Sequence, residues 1–420
     1  MKFNRLKCLV IKFGGSSVSK LTEKEIAIKL KEVLKNKPFE KIICILSAEQ
    51  YQTDKLKDTI FEISSHPNPR EKDALITFGE NQSVIKASLY ANALGLKAKS
   101  LAGWQIPILT TQVNDEKSYI TEIEKKNIIQ HLADNDILFV AGFQGVDNQK
   151  NVTSLGRGGS DITAVAISAA LNVKFCQIVT DTDGIKTTDP RLNLNPKLIE
   201  KMHYDEAIEL AWLGTKIIHP RSVEIAKKFN IPINISFYQD FLNTSTTIDN
   251  KVNKNSELSI SVSENETLVT IQKFPNKPGS LNKLLAYLFK KNMDVDLLTQ
   301  TPSMSQSKED LTEIVFCVNT IDIQKDLHLY INDLKQDILK LFDLVNIEVN
   351  STIIKVSLVN NRIATLPNFT SNLYAILIKH KIPYYLLSGP SNRVSIIIDK
   401  DEHLLNKFLK NILTNNLLGD

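Results

Sequence analysis

The sequence predicts an α/β protein: a domain built on a mainly parallel sheet, followed by a second, smaller α/β region. Three observations carry that reading. From residue 5 to about 240, short apolar runs of strand character alternate with helical stretches, the pattern of βαβ units. Between 243 and 266 the composition turns to Thr, Ser, Asn, Asp and Lys, which marks a domain boundary. Beyond it a strand, helix, strand succession recurs loosely, a weak internal duplication. The 420 residues suit two or three domains, and 42% apolar with 23% charged residues is the balance of a soluble globular chain.

The elements follow in order. Residues 8–13 form an apolar strand that runs into Gly14 and Gly15, and a helix is expected over 23–35. A second strand covers 41–46. A long helix is expected over 71–94, its apolar positions including Val84, Ile85, Ala87, Leu89 and Ala91, and it stops before Gly95 as a helix end does. Strands at 137–141 and 175–180 flank a helix at 161–171, and a helical stretch at 204–229 precedes a strand at 233–236. Past the boundary, strand 267–271, helix 279–291 and strand 295–298 are echoed by 353–358, 370–379 and 384–387.

Composition excludes several classes of function. A net charge of +4, with the lysines spread along helical stretches, gives no nucleic-acid footprint, and no nucleic-acid partner is expected. Cys8, Cys44, Cys176 and Cys317 lie far apart in apolar runs without C-x-x-C spacing, as buried free thiols of a reducing compartment do. No apolar stretch approaches the roughly 18 residues of a membrane span, and the start lacks a signal-like apolar segment. A cytoplasmic protein without membrane contact is expected.

The chemistry concentrates in glycine turns. Residues 156–161, Gly-Arg-Gly-Gly-Ser-Asp, read as an anion-binding loop: glycines free backbone N–H groups, Ser160 and Asp161 are good helix caps, and Arg157 can fork onto a carboxylate or phosphate. Taken alone, such a loop can equally be a plain capped turn. Lys12 precedes Gly14 and Gly15 at a strand end; without G-x-x-x-x-G-K-[ST] this is not a Walker-type loop. Thr180 and Asp181 end another strand, where open α/β sheets bind ligands. Asp181 and Asp183 have no His or Cys neighbours to form a metal cluster, so no metal ligand from protein side chains is expected.

Four ordered motifs, residues 12–17, 156–161, 180–191 and 214–220, together resemble aspartate kinases, over essentially the whole chain. The resemblance implies a three-layer αβα amino-acid-kinase domain with a mainly parallel sheet at 1–245, a linker and first strand at 246–265, and two small βαβ-type ACT-like modules at 266–345 and 346–420. It implies phosphoryl transfer from ATP, with Mg²⁺ held mainly by nucleotide phosphates, to the side-chain carboxylate of L-aspartate. That is the first step toward lysine, threonine, methionine and diaminopimelate. Lys12, Asp161 and Lys216 would be catalytic, and Ser47, Thr53, Glu80, Arg157 and Ser160 would bind the substrate. Gly14, Gly15, Ser16, Thr180, Asp181, Lys186 and Arg191 would bind the nucleotide. A lysine or threonine effector would contact Asn276, Gly279 and Gln300 in a homodimer or higher oligomer joined through the ACT-like modules. Asp161 is expected to orient Lys12, to cap its helix, or both. His219 reads as structural, and Glu80 read alone is a solvated helix residue. The chain departs from the family's usual pattern at Lys186, where an aromatic is common, and at 49–51, where the loop commonly contains glycine. The alternatives are another amino acid kinase of this fold, or an amino-acid-binding regulatory protein with a vestigial kinase domain.

Overall fold

The computed structural model describes residues 7–36, 39–112, 118–192, 194–215, 217–252, 257–291, 293–302, 311–320, 327–389, 391–415 and 417–418. Lys216 lies outside the described residues. The chain forms two compact units, Met1–Glu257 and Leu258–Asp420. The division falls inside the stretch expected as linker, 246–265, because Thr246–Asp249 is still a strand of the first unit's sheet while Ser259 already begins the second unit's.

The first unit opens with β1 (Cys8–Phe13), α1 (Gly15–Lys20), α2 (Glu23–Asn36), β2 (Lys41–Leu46) and α3 (Gln52–Ile63). The single helix expected over 71–94 is two, α4 (Pro69–Ile76) and α5 (Phe78–Ala93). Asn68 caps α4 with Pro69 at its first position, and the break sits at Thr77, whose hydroxyl donates to the Ala74 carbonyl at 2.9 Å. On α5, Val84, Ala87 and Ala91 are buried, whereas Ile85 and Leu89 are exposed. Then come β3 (Ala98–Leu101), β4 (Ile108–Thr110), β5 (Ile120–Ile123), α6 (Lys125–Asp134), β6 (Ile137–Ala141), β7 (Gln144–Val146), β8 (Val152–Ser154), α7 (Gly159–Leu171), β9 (Cys176–Thr180) and β10 (Lys201–His203). The stretch 204–229 is also two helices, α8 (Tyr204–Trp212) and α9 (Pro220–Phe229): the chain leaves the first beyond Leu213, and Pro220 sets the first turn of the second. β11 (Ile233–Phe237) and β12 (Thr246–Asp249) complete the unit.

Its main sheet has the order β10-β12-β11-β9-β1-β2-β6-β3, with β4, β5, β7 and β8 in a separate small sheet. The run from β11 to β3 is parallel throughout. Phe13 stands opposite Leu46 and Val179, and Leu46 opposite Ala141, so the carboxyl ends of β1, β2, β6 and β9 align along one edge. The strand pleat sends Leu9, Ile11 and Phe13 to the face covered by Ile26, Leu30, Val84 and Ala87 of α2 and α5. Helix α7 packs on β1, β2 and β9 from the other face, which makes three layers.

The second unit comprises β13 (Ser259–Pro275), α10 (Ser280–Lys290), β14 (Val295–Pro302), β15 (Leu311–Asn319), α11 (Leu327–Leu341), β16 (Asn346–Val359), α12 (Phe369–Lys379), β17 (Leu386–Leu387), β18 (Arg393–Asp399) and α13 (Glu402–Thr414). Its sheet order is β14-β15-β13-β16-β18-β17. The modules expected one after the other share their long strands. Residues 259–263 of β13 pair with 355–359 of β16, which continues to β18, while 266–275 pair with β15. The first module is therefore nested behind a strand that serves the second. In a flat sheet β14 and β18, four places apart, would be roughly 19 Å apart at about 4.8 Å per strand. Instead Asp296 on β14 bonds Lys355 on β16 at 2.9 Å and Arg393 on β18 at 2.8 Å, so the sheet folds back on itself. Leu268, Cys317, Ile353 and Ile397 pack together inside that fold.

Candidate active site

The site grows from the aligned strand ends. Because the pleat alternates, Lys12 projects from β1 to the face opposite Leu9, Ile11 and Phe13, the face on which α7 lies. There its ammonium meets Oδ1 of Asp161 at 2.5 Å, both side chains about nine-tenths buried. Gly14 makes room for this pair, since a Cβ at that position would fall 2.9 Å from the Lys12 ammonium. The expectation that Ser160 or Asp161 caps the helix is corrected. The cap is Gly158, with φ 68°, and α7 begins at Gly159, so Ser160 and Asp161 occupy its first turn. Asp161 orients Lys12 from a helix N-terminus, where a carboxylate is favoured.

A cavity of about 480 Å³ opens beside the pair, lined by Lys12, Ser47, Thr53, Glu80, Phe143 and the loop from Gly156 to Asp161. All five residues that the resemblance marks for substrate, from Ser47 to Ser160, share this cavity with Lys12 and Asp161. They arrive from four elements: Ser47 just past β2, Thr53 in α3, Glu80 in α5, Arg157 and Ser160 around the start of α7. Glu80 is buried, not the solvated residue that its helix position alone suggests. Its Oε1 accepts from the Ala48 N–H at 3.2 Å, Oε2 has no hydrogen-bond partner, and burial pushes its pKa up to about 7. A buried carboxyl oxygen left open beside a cavity is suited to a cationic ligand group. Asp54 and Lys57 also line the cavity, and the sequence reading missed both. Lys57 lies four residues after Thr53 on α3, so the helical spacing i, i+4 was the signal available.

The residues marked for the nucleotide lie along the same sheet edge. Gly14, Gly15 and Ser16 lead β1 into α1, and Thr180 ends β9, the neighbour of β1. Asp181 faces Lys20 at 3.6 Å, and Asp183 pairs with Lys186 at 3.0 Å. Arg191, marked for the phosphates, is exposed and forks onto Asp189 two residues away, which holds that carboxyl below its ordinary pKa. It does not line the cavity. Among the described residues no group of three or more His, Cys, Asp or Glu is placed to hold a metal ion. In the second unit, the Gln300 side-chain amide donates to Oδ1 of Asn276 at 3.1 Å, and Gly279, with φ 88°, caps α10.

The fold, a doubly wound sheet with a lysine at a central strand end and a glycine loop opening the next helix, is that of an amino acid kinase domain, since the sequence model described as "Amino acid kinase family" matches residues 7–236. An aspartokinase of Bacillus sp. (strain MGA3) is 31% identical over 397 residues, 94% of each chain. Crystal structures of E. coli aspartokinase III, with aspartate and ADP and with lysine and aspartate, share the fold at TM-scores of 0.73 and 0.72. Each is 21% identical and covers 96% of this chain and 99% of its own. This chain belongs to the aspartokinases of the amino acid kinase family. No helix of the described residues is long and apolar enough to cross a membrane.

Proposed function

We propose that this chain transfers the γ-phosphoryl group of ATP to the side-chain carboxylate of L-aspartate, giving 4-phospho-L-aspartate and ADP. The observation that carries the reading is the single cavity in which the Lys12–Asp161 pair, the Arg157 loop and the half-satisfied Glu80 carboxyl converge. A β-carboxylate is ionised at neutral pH, so the acceptor needs no general base. The barrier is electrostatic: two anions must meet, and the enzyme supplies fixed positive charge where it develops. Lys12, locked by Asp161, takes the transferring group. Arg157 forks onto the α-carboxylate, Glu80 receives the α-ammonium, and Ser47, Thr53 and Ser160 offer hydroxyls.

Thr180, Asp181 and Lys186 take the nucleoside side, the amides at Gly14, Gly15 and Ser16 the phosphates, with Lys216 and Arg191 as further phosphate partners. Mg²⁺ fits here as an ion carried on the phosphates, since Asp181 and Asp183, the carboxylates on that side, already face lysines. Bound, it neutralises charge on the phosphate oxygens. Lysine or threonine is the proposed effector at Asn276, Gly279 and Gln300, in a dimer formed through the second unit.

The test is ADP release from MgATP with L-aspartate, with L-glutamate and with no acceptor, repeated with lysine and threonine added. Turnover that requires aspartate is expected. Turnover with glutamate alone would point to another amino acid kinase, and none with either would refute the activity.

A further inference from the structure

The loop that carries Arg157 is closed by the Gly159 N–H, which donates to the Gly156 carbonyl at 3.0 Å, and it is braced further from outside. Gly156 and Gly158 flank the arginine with φ of 74° and 68°, and glycine in that region is restrained by little but its surroundings. Further restraint comes from the head of α9. Arg221 donates from Nη1 to the Leu155 carbonyl at 2.8 Å and from Nη2 to the Ser118 carbonyl at 3.0 Å, with its guanidinium 4.4 Å from the centre of the Tyr119 ring. His219 closes the other end. A Cβ placed on Gly158 would lie 2.2 Å from Cβ and 2.3 Å from Cγ of His219, so the histidine sits flush on the loop backbone.

The clasp itself is rigid. His219 is the cap residue of α9, its carbonyl accepting from the Ser222 N–H at 3.1 Å and from the Ser222 hydroxyl at 2.6 Å, and Pro220 fixes the next turn. Neither His219 nor Arg221 lines the cavity. We infer that His219 and Arg221 are positioning residues that hold the Arg157 loop, from Leu155 to Gly158, in the geometry a bidentate carboxylate contact demands. Such a contact tolerates errors of only about 0.5 Å, and a flanking pair of glycines does not supply that precision alone. The inference rests on Arg157 as the partner of the aspartate α-carboxylate.

The experiment is steady-state kinetics of the full chain, varying aspartate and ATP separately, on His219→Ala, His219→Gln, Arg221→Ala and Arg221→Lys. The KM for aspartate should rise about five- to twenty-fold in the alanine variants, the KM for ATP should stay within about two-fold, and the conservative variants should fall between. Equal rises in both KM values, or an unchanged aspartate KM, would overturn the positioning role. A second measurement guards against variants that fail to fold: Gly158→Ala is made in the wild type and in His219→Gly. The backbone strain of alanine at this φ is common to both and cancels, leaving the contact. Gly158→Ala should cost at least about three-fold more in kcat/KM for aspartate in the wild type than it does once His219 is glycine. The same cost in both backgrounds would remove His219 from the loop. Wild-type turnover separates the two readings, because loss of aspartate turnover in the wild type refutes the activity, whereas normal turnover with unresponsive variants refutes only the clasp.

Discussion

Lys12 and Asp161 form a pair that water barely reaches, and this decides how each substitution behaves. Removing the ammonium withdraws charge from the transferring phosphoryl group and also leaves the nine-tenths-buried Asp161 carboxylate without this partner. Lys12→Ala should lower kcat by about 10²-fold or more, and it should also destabilise the first unit by about 3–5 kcal/mol, a loss that a surface lysine would not cause. Stopped turnover with an unchanged melting curve would mean that the pair is solvated. Glu80 gives the pH signature. Unfolded, its carboxyl releases its proton near the ordinary glutamate value, about 4.3; folded and unliganded it holds the proton to about 7. Between those values the folded state binds more protons, so stability falls as pH rises. Aspartate binding runs the other way, because the α-ammonium needs the ionised form. The KM for aspartate should fall about ten-fold between pH 6 and 8, because the ionised fraction of such a group rises about ten-fold over that range, and Glu80→Gln should abolish that dependence. A profile that Glu80→Gln leaves intact would place the titrating group elsewhere.

Elements show where local sequence rules suffice and where they do not. The strands β1, β2, β6 and β9 were legible because buried parallel strands read as continuous apolar runs. The halves of 71–94 were not, because helical periodicity passes straight through Thr77. At 204–229 the signals were present, Gly214 and Pro220, but they sat inside a motif that drew attention to chemistry rather than to chain direction. Burial of Glu80 was invisible, since it depends on α5 lying against Ala48 across the fold. The loop at 49–51 is a case in which an apparent departure makes physical sense: Tyr51 adopts φ 66° immediately before α3, the conformation that glycine accepts freely. Tyr51 is 64% exposed, so little packing would be lost on its removal. Tyr51→Gly should therefore raise the unfolding free energy, by at most about 1 kcal/mol given the cost of a left-handed side-chain residue, as read by urea denaturation. A clear destabilisation would show that the Tyr51 ring makes contacts that outweigh the strain.

At the scale of the whole molecule, the second unit is tied by charge as well as by its shared strands. Lys355 lies 2.8 Å from Glu266 and 2.9 Å from Asp296, its side chain 7% exposed and that of Glu266 only 1%. Burial works against the Lys355 ammonium, but the two carboxylates outweigh it and hold the pKa above the ordinary lysine value. Burial likewise opposes the Asp296 carboxylate, and Lys355 with Arg393 overcomes that and lowers its pKa. Asp296 thus contributes stability that is present above the ordinary carboxylate range and lost as pH falls through its lowered folded value. Lys355→Ala strips the ammonium from the buried Glu266 carboxylate and leaves Asp296 with Arg393 alone, and should cost about 3–5 kcal/mol, seen as early melting of Leu258–Asp420 by hydrogen exchange. Protection equal to the wild type would show that water already enters the fold of the sheet.

Regulation, if it works as proposed, must obey linkage. An effector bound at Asn276 and Gln300 is held by residues of the second unit, whereas those that line the aspartate cavity belong to the first. It changes turnover only by binding two states of the chain with different affinity. Whatever factor lysine or threonine imposes on aspartate affinity, aspartate must impose on the effector, typically about 5- to 150-fold. Calorimetric titration of each effector, with and without saturating aspartate and a non-hydrolysable ATP analogue, should return that same factor. Gln300→Ala should weaken effector binding at least about ten-fold, comparable to losing a charge-assisted hydrogen bond, while leaving the aspartate KM without effector unchanged. An effector that inhibits turnover but binds equally well with and without aspartate would have to act by competing for the nucleotide or by slowing the chemical step. In that case the Asn276–Gln300 pair would be a structural hydrogen bond of the second unit and nothing more.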